Sequence, residues 1–239
     1  MAEAQKTLAV LQHTSSEYLG LIEDELENRR IRFRYFRPFT SGGRVPRIGE
    51  VAEGLVLLGG GPWSVSTGAR QLPSLDAELA LTVAALEAGI AVLGIGLGAQ
   101  ILALAAGGGV RSAPLAFEVS VARREVGEAL FGVLPQEYPL VRYGPDRLQL
   151  PPRARTLARD AGGEPALFQL GERVFGFAGH PGIKSAIIED LIMEFPDSPA
   201  ETAAPLAMLR ARQADVRVSL ATLMVGLTRA LGLMDAVPP

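Results

Sequence analysis

The chain has 239 residues, of which 48% are hydrophobic and 21% charged, and this length suffices for one large domain with a sizeable buried core. The formal net charge is −3 and cysteine is absent, which argues against nucleic-acid binding and excludes disulfides, thiolate metal sites and a cysteine nucleophile. The two histidines, His13 and His180, are too few for a histidine-rich metal site, so we expect no metal and no cofactor.

Two hydrophobic stretches bear on where the protein resides. The apolar run near the amino terminus, Thr7 to Gln12, is too short for a signal peptide, so we expect a cytoplasmic protein. A longer uncharged stretch, from Ala88 to Val110, has the length of a membrane span. Its seven glycines divide it into a short apolar run, a tight turn and a helical run. We therefore expect a buried strand and a buried helix there rather than a membrane segment.

The first half of the chain alternates strands with helices. Apolar runs bounded by turn residues predict strands at 7–12, 31–36, 54–58 and 90–93, and helical periodicity predicts helices at 18–30 and 75–88. This alternation is typical of an α/β fold with a doubly wound, mostly parallel sheet and helices on both faces.

The second half has a different rhythm. Beyond Gly109 the predicted strands are shorter, and we expect some of them to pair antiparallel; they lie at 117–122, 140–143, 154–158, 166–170 and 174–178. A helix is predicted over 183–195.

The carboxyl-terminal segment predicts a long helix. A capping box with proline in its first turn, Ser198 to Glu201, opens it. One face then stays apolar through about eight turns, giving a length of about 50 Å; its residues are 206, 209, 216, 220, 223, 227 and 231. This stripe packs either on the parent domain or on another chain, and we favour oligomerisation or docking of a partner.

The glycine-rich turns mark the candidate site. Gly94 to Gly98 joins a buried strand to a helix, which is the architecture of a nucleophile elbow with Gly96 in the middle position. Gly59, Gly60 and Gly61 end a neighbouring strand, where backbone N–H groups can hold an oxyanion. His180 follows the last predicted strand, where a general base would lie.

The motifs resemble those of class I glutamine amidotransferases, in particular a stand-alone type similar to the amidotransferase part of GMP synthase. The matching stretches, which occur in the family's order, are LLGGGPWSV, VLGIGLGAQILALAAGG, YGPDRLQLPPRARTLARD and VFGFAGHPG. The resemblance covers roughly residues 7–195. It predicts an amidotransferase-like domain at 1–195 and a helical extension at 196–239.

The chain departs from the family at the residues that carry the chemistry. The family has cysteine at the elbow where this chain has Gly96, and glutamate after the His-Pro pair where it has Gly182. His180 is retained as the base position. The resemblance also implies a pocket for glutamine, a related amino acid or another small carboxylate; its residues would be Gly59, Gly60, Gly61, Leu97, Gln100 and Glu118.

Loss of a nucleophile costs on the order of a millionfold in turnover, because nucleophile, base and orienting acid act as a unit. We therefore expect a catalytically silent binding, regulatory or scaffold subunit that pairs with itself or with a partner enzyme through the carboxyl-terminal helix. The alternative is an enzyme, either with a substituted nucleophile or with a pocket rebuilt around His180, Glu118 or Asp146.

Several residues keep two interpretations. His180 is either a proton shuttle or a packed side chain, and Gly59 to Gly61 either bind an anion or only turn the chain. Gly94-x-Gly96-x-x-Ala99 also fits a relaxed dinucleotide fingerprint, with Glu118 as the ribose partner. Ser64 and Ser66 are hydroxyls near the glycine turn, but no base adjoins them in sequence. His13 is expected to be structural.

Overall fold

A computed structural model describes residues 6–234, and its centre is a nine-stranded sheet of order β2-β1-β3-β4-β11-β10-β9-β6-β7. The strands of this sheet are β1 (Thr7–Leu11), β2 (Arg32–Phe36), β3 (Gly54–Leu57), β4 (Ala91–Ile95), β6 (Ala116–Arg124), β7 (Glu137–Gly144), β9 (Arg155–Arg159), β10 (Pro165–Gln169) and β11 (Val174–Phe177). β5 (Gly109–Arg111) and β8 (Arg147–Gln149) form a separate antiparallel pair.

The sheet has a parallel and an antiparallel half. β2, β1, β3, β4 and β11 run parallel, whereas β10, β9, β6 and β7 pair antiparallel with their neighbours. The antiparallel pairing predicted beyond Gly109 is thereby confirmed. The expectation of shorter strands there was wrong, because β6 and β7 have nine and eight residues, against four or five in β1 to β4. Tight turns suffice to connect antiparallel strands, whereas parallel neighbours need crossovers such as helices.

Helices cover both faces of the sheet. They are α1 (Leu21–Asn28), α2 (Leu75–Glu87), α3 (Leu97–Ala105), α4 (Ser185–Glu194), α5 (Ala203–Ala211) and α6 (Gln213–Ala230). The buried faces of α1, α4, α5 and α6 belong to one hydrophobic cluster, and those of α2 and α3 belong to a second. The doubly wound α/β prediction is confirmed, because each side of the sheet has its own core.

The single carboxyl-terminal helix of the sequence prediction is divided into α5 and α6. The break lies at Arg212, whose φ of −101° and ψ of 9° leave helical geometry. The start is also later than the capping box predicted. Glu201, rather than Ser198, accepts hydrogen bonds from the first turn, from the N–H groups of Ala203 and Ala204 at 3.1 and 3.3 Å.

The apolar stripe of this segment is covered within one chain. Leu209, Val216, Leu220, Leu223 and Leu227 are each at most 2% exposed and lie in the same cluster as α1 and α4. The stripe therefore packs on the parent fold, and the expectation that it packs on another chain was wrong for these residues. Each leucine buried in this way contributes about 2 kcal/mol.

The uncharged stretch from Ala88 to Val110 forms β4, α3 and part of β5, with a turn at Gly96. Over residues 6–234, no helix combines the length and the apolar character that a bilayer crossing requires.

Candidate functional site

The turn between β4 and α3 has the geometry of an elbow. Gly96 adopts φ 56° and ψ −115°, a conformation that side-chain-bearing residues rarely adopt. Its neighbours are close-packed: a Cβ on Gly98 would lie 2.0 Å from the carbonyl oxygen of Leu57. A Cβ on Gly96 would meet only the Cα of Gly59, at 3.5 Å. The elbow therefore has space for a side chain at Gly96, although the backbone conformation there favours glycine.

The glycine turn after β3 lies directly against this elbow. A Cβ on Gly60 would approach the Cδ2 of Leu97 to 2.2 Å, so the Leu97 side chain packs directly on the glycine turn. Neither the N–H of Gly60 nor that of Leu97 has a hydrogen-bond acceptor within residues 6–234. Leu97 is the first residue of α3, whose amino end favours negative charge. An unpaired N–H group at the amino end of a helix is suited to an oxyanion or a carboxylate oxygen.

A small cavity lies beside the elbow. Its volume is about 30 Å³, enough for about one water molecule. Its walls include Gly61, Trp63, Gly96, Leu97, Gln100, Tyr143 and Asp146. Gln100, which is 8% exposed, donates from Nε2 to the carbonyl oxygen of Pro145 at 3.1 Å. The Oε1 of Gln100 and the hydroxyl of Tyr143 are buried without a partner in the described part of the chain.

These two polar atoms are the main indication of a ligand at the elbow. Buried polar groups are nearly always hydrogen-bonded, and an unpaired one costs about 1–3 kcal/mol. A bound water or a ligand that offers a donor to Gln100 Oε1 would remove that cost. Gln100 and Leu97, both predicted from the resemblance, line this cavity.

His180 is engaged by the main chain on both sides of its ring. Nε2 lies 2.8 Å from the carbonyl oxygen of Tyr18, and Nδ1 accepts from the N–H of Gly182 at 3.2 Å. Because a carbonyl only accepts and an amide N–H only donates, the ring is neutral with its proton on Nε2. Burial lowers the pKa of His180 to about 4, which keeps the ring neutral at physiological pH.

The strand register places the His180 turn beside the elbow. Phe177 pairs with Ile95, and the N–H of Gly96 donates to the carbonyl oxygen of Phe177 at 2.9 Å. Ala178 lines the cavity at the elbow, but His180 is not among its lining residues.

Position 182, where the family carries a glutamate, has no room for one. A Cβ on Gly182 would lie 2.8 Å from the Cγ1 of Ile22 and 3.2 Å from the Cδ2 of Leu220. The N–H of Leu21 donates to the carbonyl oxygen of Gly182 at 2.8 Å, which fixes the turn against α1. The Nε2 of His180 therefore contacts the carbonyl oxygen of Tyr18 and not a carboxylate.

Glu118 lies apart from the cavity. Its Oε1 accepts from Arg147 at 2.7 Å, its Oε2 lies 3.9 Å from Arg142, and its side chain is 41% exposed. It is not among the residues that line the space at the elbow. The structure thus brings Gly61, Leu97 and Gln100 together with Gly96, but it does not bring Glu118 to them.

Two buried ionisable groups support the glycine turn; His13 was expected to be structural, whereas Glu17 was not identified from the sequence. Glu17 accepts from the N–H of Gly61 at 3.0 Å, and burial raises its pKa to about 7. His13 donates from Nδ1 to the carbonyl oxygen of Gly59 at 2.9 Å, and its Nε2 lies 2.8 Å from Glu78. Burial lowers the pKa of His13, but the Glu78 carboxylate, the Gly59 carbonyl and the charge of Glu17 together raise it overall.

A carboxylate also adjoins the two serines near the glycine turn. Asp146 Oδ2 accepts from the hydroxyl of Ser64 at 2.5 Å and from that of Ser66 at 3.1 Å. The sequence could not show this contact, because Asp146 lies in the turn before β8, 82 and 80 positions from Ser64 and Ser66. Asp146 lines the cavity at the elbow, whereas Ser64 and Ser66 do not.

Solved structures with the same fold were found by comparison. A glutamine amidotransferase from Methylobacillus flagellatus is 23% identical, with a TM-score of 0.80, over 99% of both chains. One from Thermotoga maritima is 23% identical, with a TM-score of 0.76, over 96% of this chain and 99% of that one. A protein assigned to GMP synthase, from Thermoplasma acidophilum, is 20% identical, with a TM-score of 0.58, over 89% of this chain and 99% of that one.

At these identities the solved structures establish the fold. A search among curated proteins gives no match. The family model of class-I glutamine amidotransferases matches residues 15–187, well over half of the chain, including the elbow, the glycine turn and His180. The protein is thus a member of the class-I glutamine amidotransferase family.

Proposed function

We propose that this family member is a catalytically silent subunit that binds a small ligand rather than hydrolysing glutamine. The observation that carries the proposal is the elbow itself: Gly96 offers no atom that can attack an amide, and the chain has no cysteine elsewhere. His180 supports it, because both ring nitrogens bind main-chain groups. A thioester cannot form without a thiol, so this chain cannot hydrolyse glutamine through a cysteine thioester.

The ligand is a small molecule with a carboxylate or amide group, such as glutamine or a related amino acid. The N–H of Leu97 would hold an oxygen, and Gln100 Oε1 would accept from an amine or amide. At about 30 Å³ the cavity holds only one such polar group. Binding of a whole amino acid would therefore shift the turn around Tyr143 and Asp146.

Two assays test this function together. The purified protein should release no ammonia from glutamine above buffer background, and a glutamine-mimicking electrophile should leave no adduct in the mass spectrum. Calorimetric titration with glutamine and glutamate should show binding that Gln100→Leu weakens about tenfold, the usual effect of losing one buried hydrogen bond. Turnover in the unmodified chain would refute the silent-subunit proposal.

The alternative function is glutamine hydrolysis by a form of the chain with its nucleophile restored. The open space at Gly96 is the observation that favours it, because a side chain there would meet nothing closer than 3.5 Å. Ammonia release by Gly96→Cys at a rate within about tenfold of a typical enzyme turnover would support this alternative.

We further propose that the segment 196–239 mediates assembly with a second copy, through the outer face of α6 rather than its buried stripe. Val218 and Val225 are 68% and 55% exposed on that face. An antiparallel pairing about Thr222 would set Asp215 of one copy opposite Arg229 of the other. A light-scattering mass of two chains that Asp215→Arg reduces to one, and that Asp215→Arg with Arg229→Asp restores, would support it. A mass of one chain at all concentrations would refute it.

A further inference from the structure

The outer edge of the sheet carries a strongly basic segment that is separate from the elbow. Residues 29–47 contain seven arginines and neither aspartate nor glutamate, in a chain whose formal net charge is −3. All of these arginines except Arg29 are exposed, and those on β2 and the loop after it are Arg32, Arg34, Arg37, Arg44 and Arg47. We refer to residues 32–47, that is β2 and the loop after it, as the basic edge. Positive charge is thus concentrated on one rim of an otherwise acidic molecule.

β2 also has an open hydrogen-bonding side. It is the last strand of the sheet and, among the described residues, pairs only with β1. The N–H of Arg32 donates to Lys6 at 2.9 Å, and the carbonyl oxygen of Phe36 accepts from Gln12 at 3.0 Å. In a parallel pair, the intervening residues Phe33 and Tyr35 then direct their main-chain groups away from β1. Another strand can pair with those groups.

The positive charge is only partly neutralised inside the molecule. Arg44 forms a two-point ion pair with Glu50, with both distances 2.6 Å, and Arg37 donates to the neutral amide of Gln12 at 2.8 Å. Arg34 stacks over the ring of Phe36 at 4.9 Å. Arg32, Arg34 and Arg47 form no ion pair within residues 6–234, and they remain available to an external anion.

We propose that the basic edge docks an acidic polypeptide segment, which adds to β2 as an extended strand. Arg32 and Arg34 lie on the same face of β2, two residues apart, so acidic side chains at alternate positions of the added strand would meet them. The main-chain groups of Phe33 and Tyr35 would supply the hydrogen bonds, and the arginines would select for negative charge.

Charge and geometry distinguish this occupant from two others. A second copy is unsuited, because pairing two basic edges would set arginine against arginine. A nucleic acid would satisfy the guanidinium groups but leave the strand's main-chain groups unused. An acidic strand satisfies both features of the edge.

A fluorescent peptide of about ten residues in which glutamate alternates with threonine is the direct probe. We expect a Kd below about 100 µM at about 50 mM salt, rising steeply as salt screens the charges. A peptide of equal charge with two of its threonines replaced by proline should bind at least about tenfold more weakly, because proline removes main-chain donors.

Matched variants locate the surface. Arg32→Glu with Arg34→Glu should weaken peptide binding at least about tenfold, whereas Arg153→Glu with Arg217→Glu, an equal charge change at exposed sites elsewhere, should change it less than about twofold. Circular dichroism checks that the first variant folds. If it does not, Arg32→Gln with Arg34→Gln repeats the test without charge reversal.

Three outcomes would overturn the proposal. They are failure of the glutamate-threonine peptide to bind, equal binding of the proline peptide, and equal weakening by the control reversal. Tighter binding of a single-stranded oligonucleotide of about 20 nucleotides would also overturn it and assign the edge to nucleic acid. Ammonia release and ligand binding at the elbow are measured separately, so the silent-subunit proposal stands or falls independently.

Discussion

Glu17 accepts a hydrogen bond from the N–H of Gly61 at 3.0 Å, although the two residues are 44 positions apart. Glu17 is 4% exposed, and a Cβ on Gly59 would lie 1.7 Å from its Oε1, so the glycine turn and the carboxylate are packed together. The contact orients the turn and takes up one of its N–H groups. The N–H of Gly61 is therefore not available to the anion predicted at Gly59 to Gly61, whereas the N–H of Gly60 has no acceptor among the described residues.

The buried position of Glu17 predicts a pH-dependent stability. Its pKa rises from 4.5 to about 7 on folding, so the folded chain holds this proton more tightly than the unfolded chain. The stabilisation is present below pH 4.5 and is lost as the pH rises towards 7, a change of about 3 kcal/mol. We expect Glu17→Gln to remove this decline. Urea unfolding from pH 4.5 to 8 measures it, and a constant difference between the two proteins would contradict the prediction.

The ion pair between His13 and Glu78 predicts a large loss of stability when one partner is removed. Both side chains are fully buried, and the two atoms lie 2.8 Å apart. Glu78→Ala should lower the free energy of unfolding by about 3–5 kcal/mol, because an imidazolium is left buried without its counter-charge. Urea denaturation measures this. Glu50→Ala, which breaks an exposed pair with Arg44, is the control and should have little effect.

The sequence predicted the glycine turns of the site, but not the side chains that hold them in place. The elbow and the glycine turn were identified because tight turns after buried strands need glycine, a requirement that is local in the sequence. The contacts of Glu17 with Gly61 and of Asp146 with Ser64 join distant segments, and nothing in local spacing indicates them. The basic edge was missed for another reason: a net charge of −3 conceals the five arginines of residues 32–47.

The carboxyl-terminal segment shows the limit of periodicity. Its apolar spacing identified the buried residues correctly, since Leu209, Val216 and Leu223 all lie in the core. The same spacing continues through Arg212, where the helix breaks. Periodicity reports which face is buried, but it does not report which surface covers that face or where the axis bends. β5 and β8, with three residues each, were too short to be recognised.

Restoring a thiol should not restore glutamine hydrolysis. Gly96→Cys has room for its side chain, but His180 uses both nitrogens for main-chain contacts and no carboxylate orients it. We expect ammonia release from glutamine to stay at least about a thousandfold below typical enzyme turnover. Thiol labelling with iodoacetamide checks that the cysteine is accessible. Adding Gly182→Glu should destabilise the fold instead of assisting, because Ile22 and Leu220 occupy the space.

Because the chain has two histidines, nuclear magnetic resonance can observe each of them directly. Long-range proton–nitrogen spectra should show His180 as a neutral ring with its proton on Nε2 from pH 5.5 to 8, because burial lowers its pKa to about 4. His13 should remain protonated beyond the pH at which a free histidine loses its charge, since Glu78 raises its pKa. His180→Gln assigns the signals and serves as the control. A proton shuttle needs a pKa near the working pH. If the ring of His180 titrated near pH 7, its main-chain contacts would be too weak to hold it inactive, and rebuilt chemistry at this turn would replace the silent-subunit proposal.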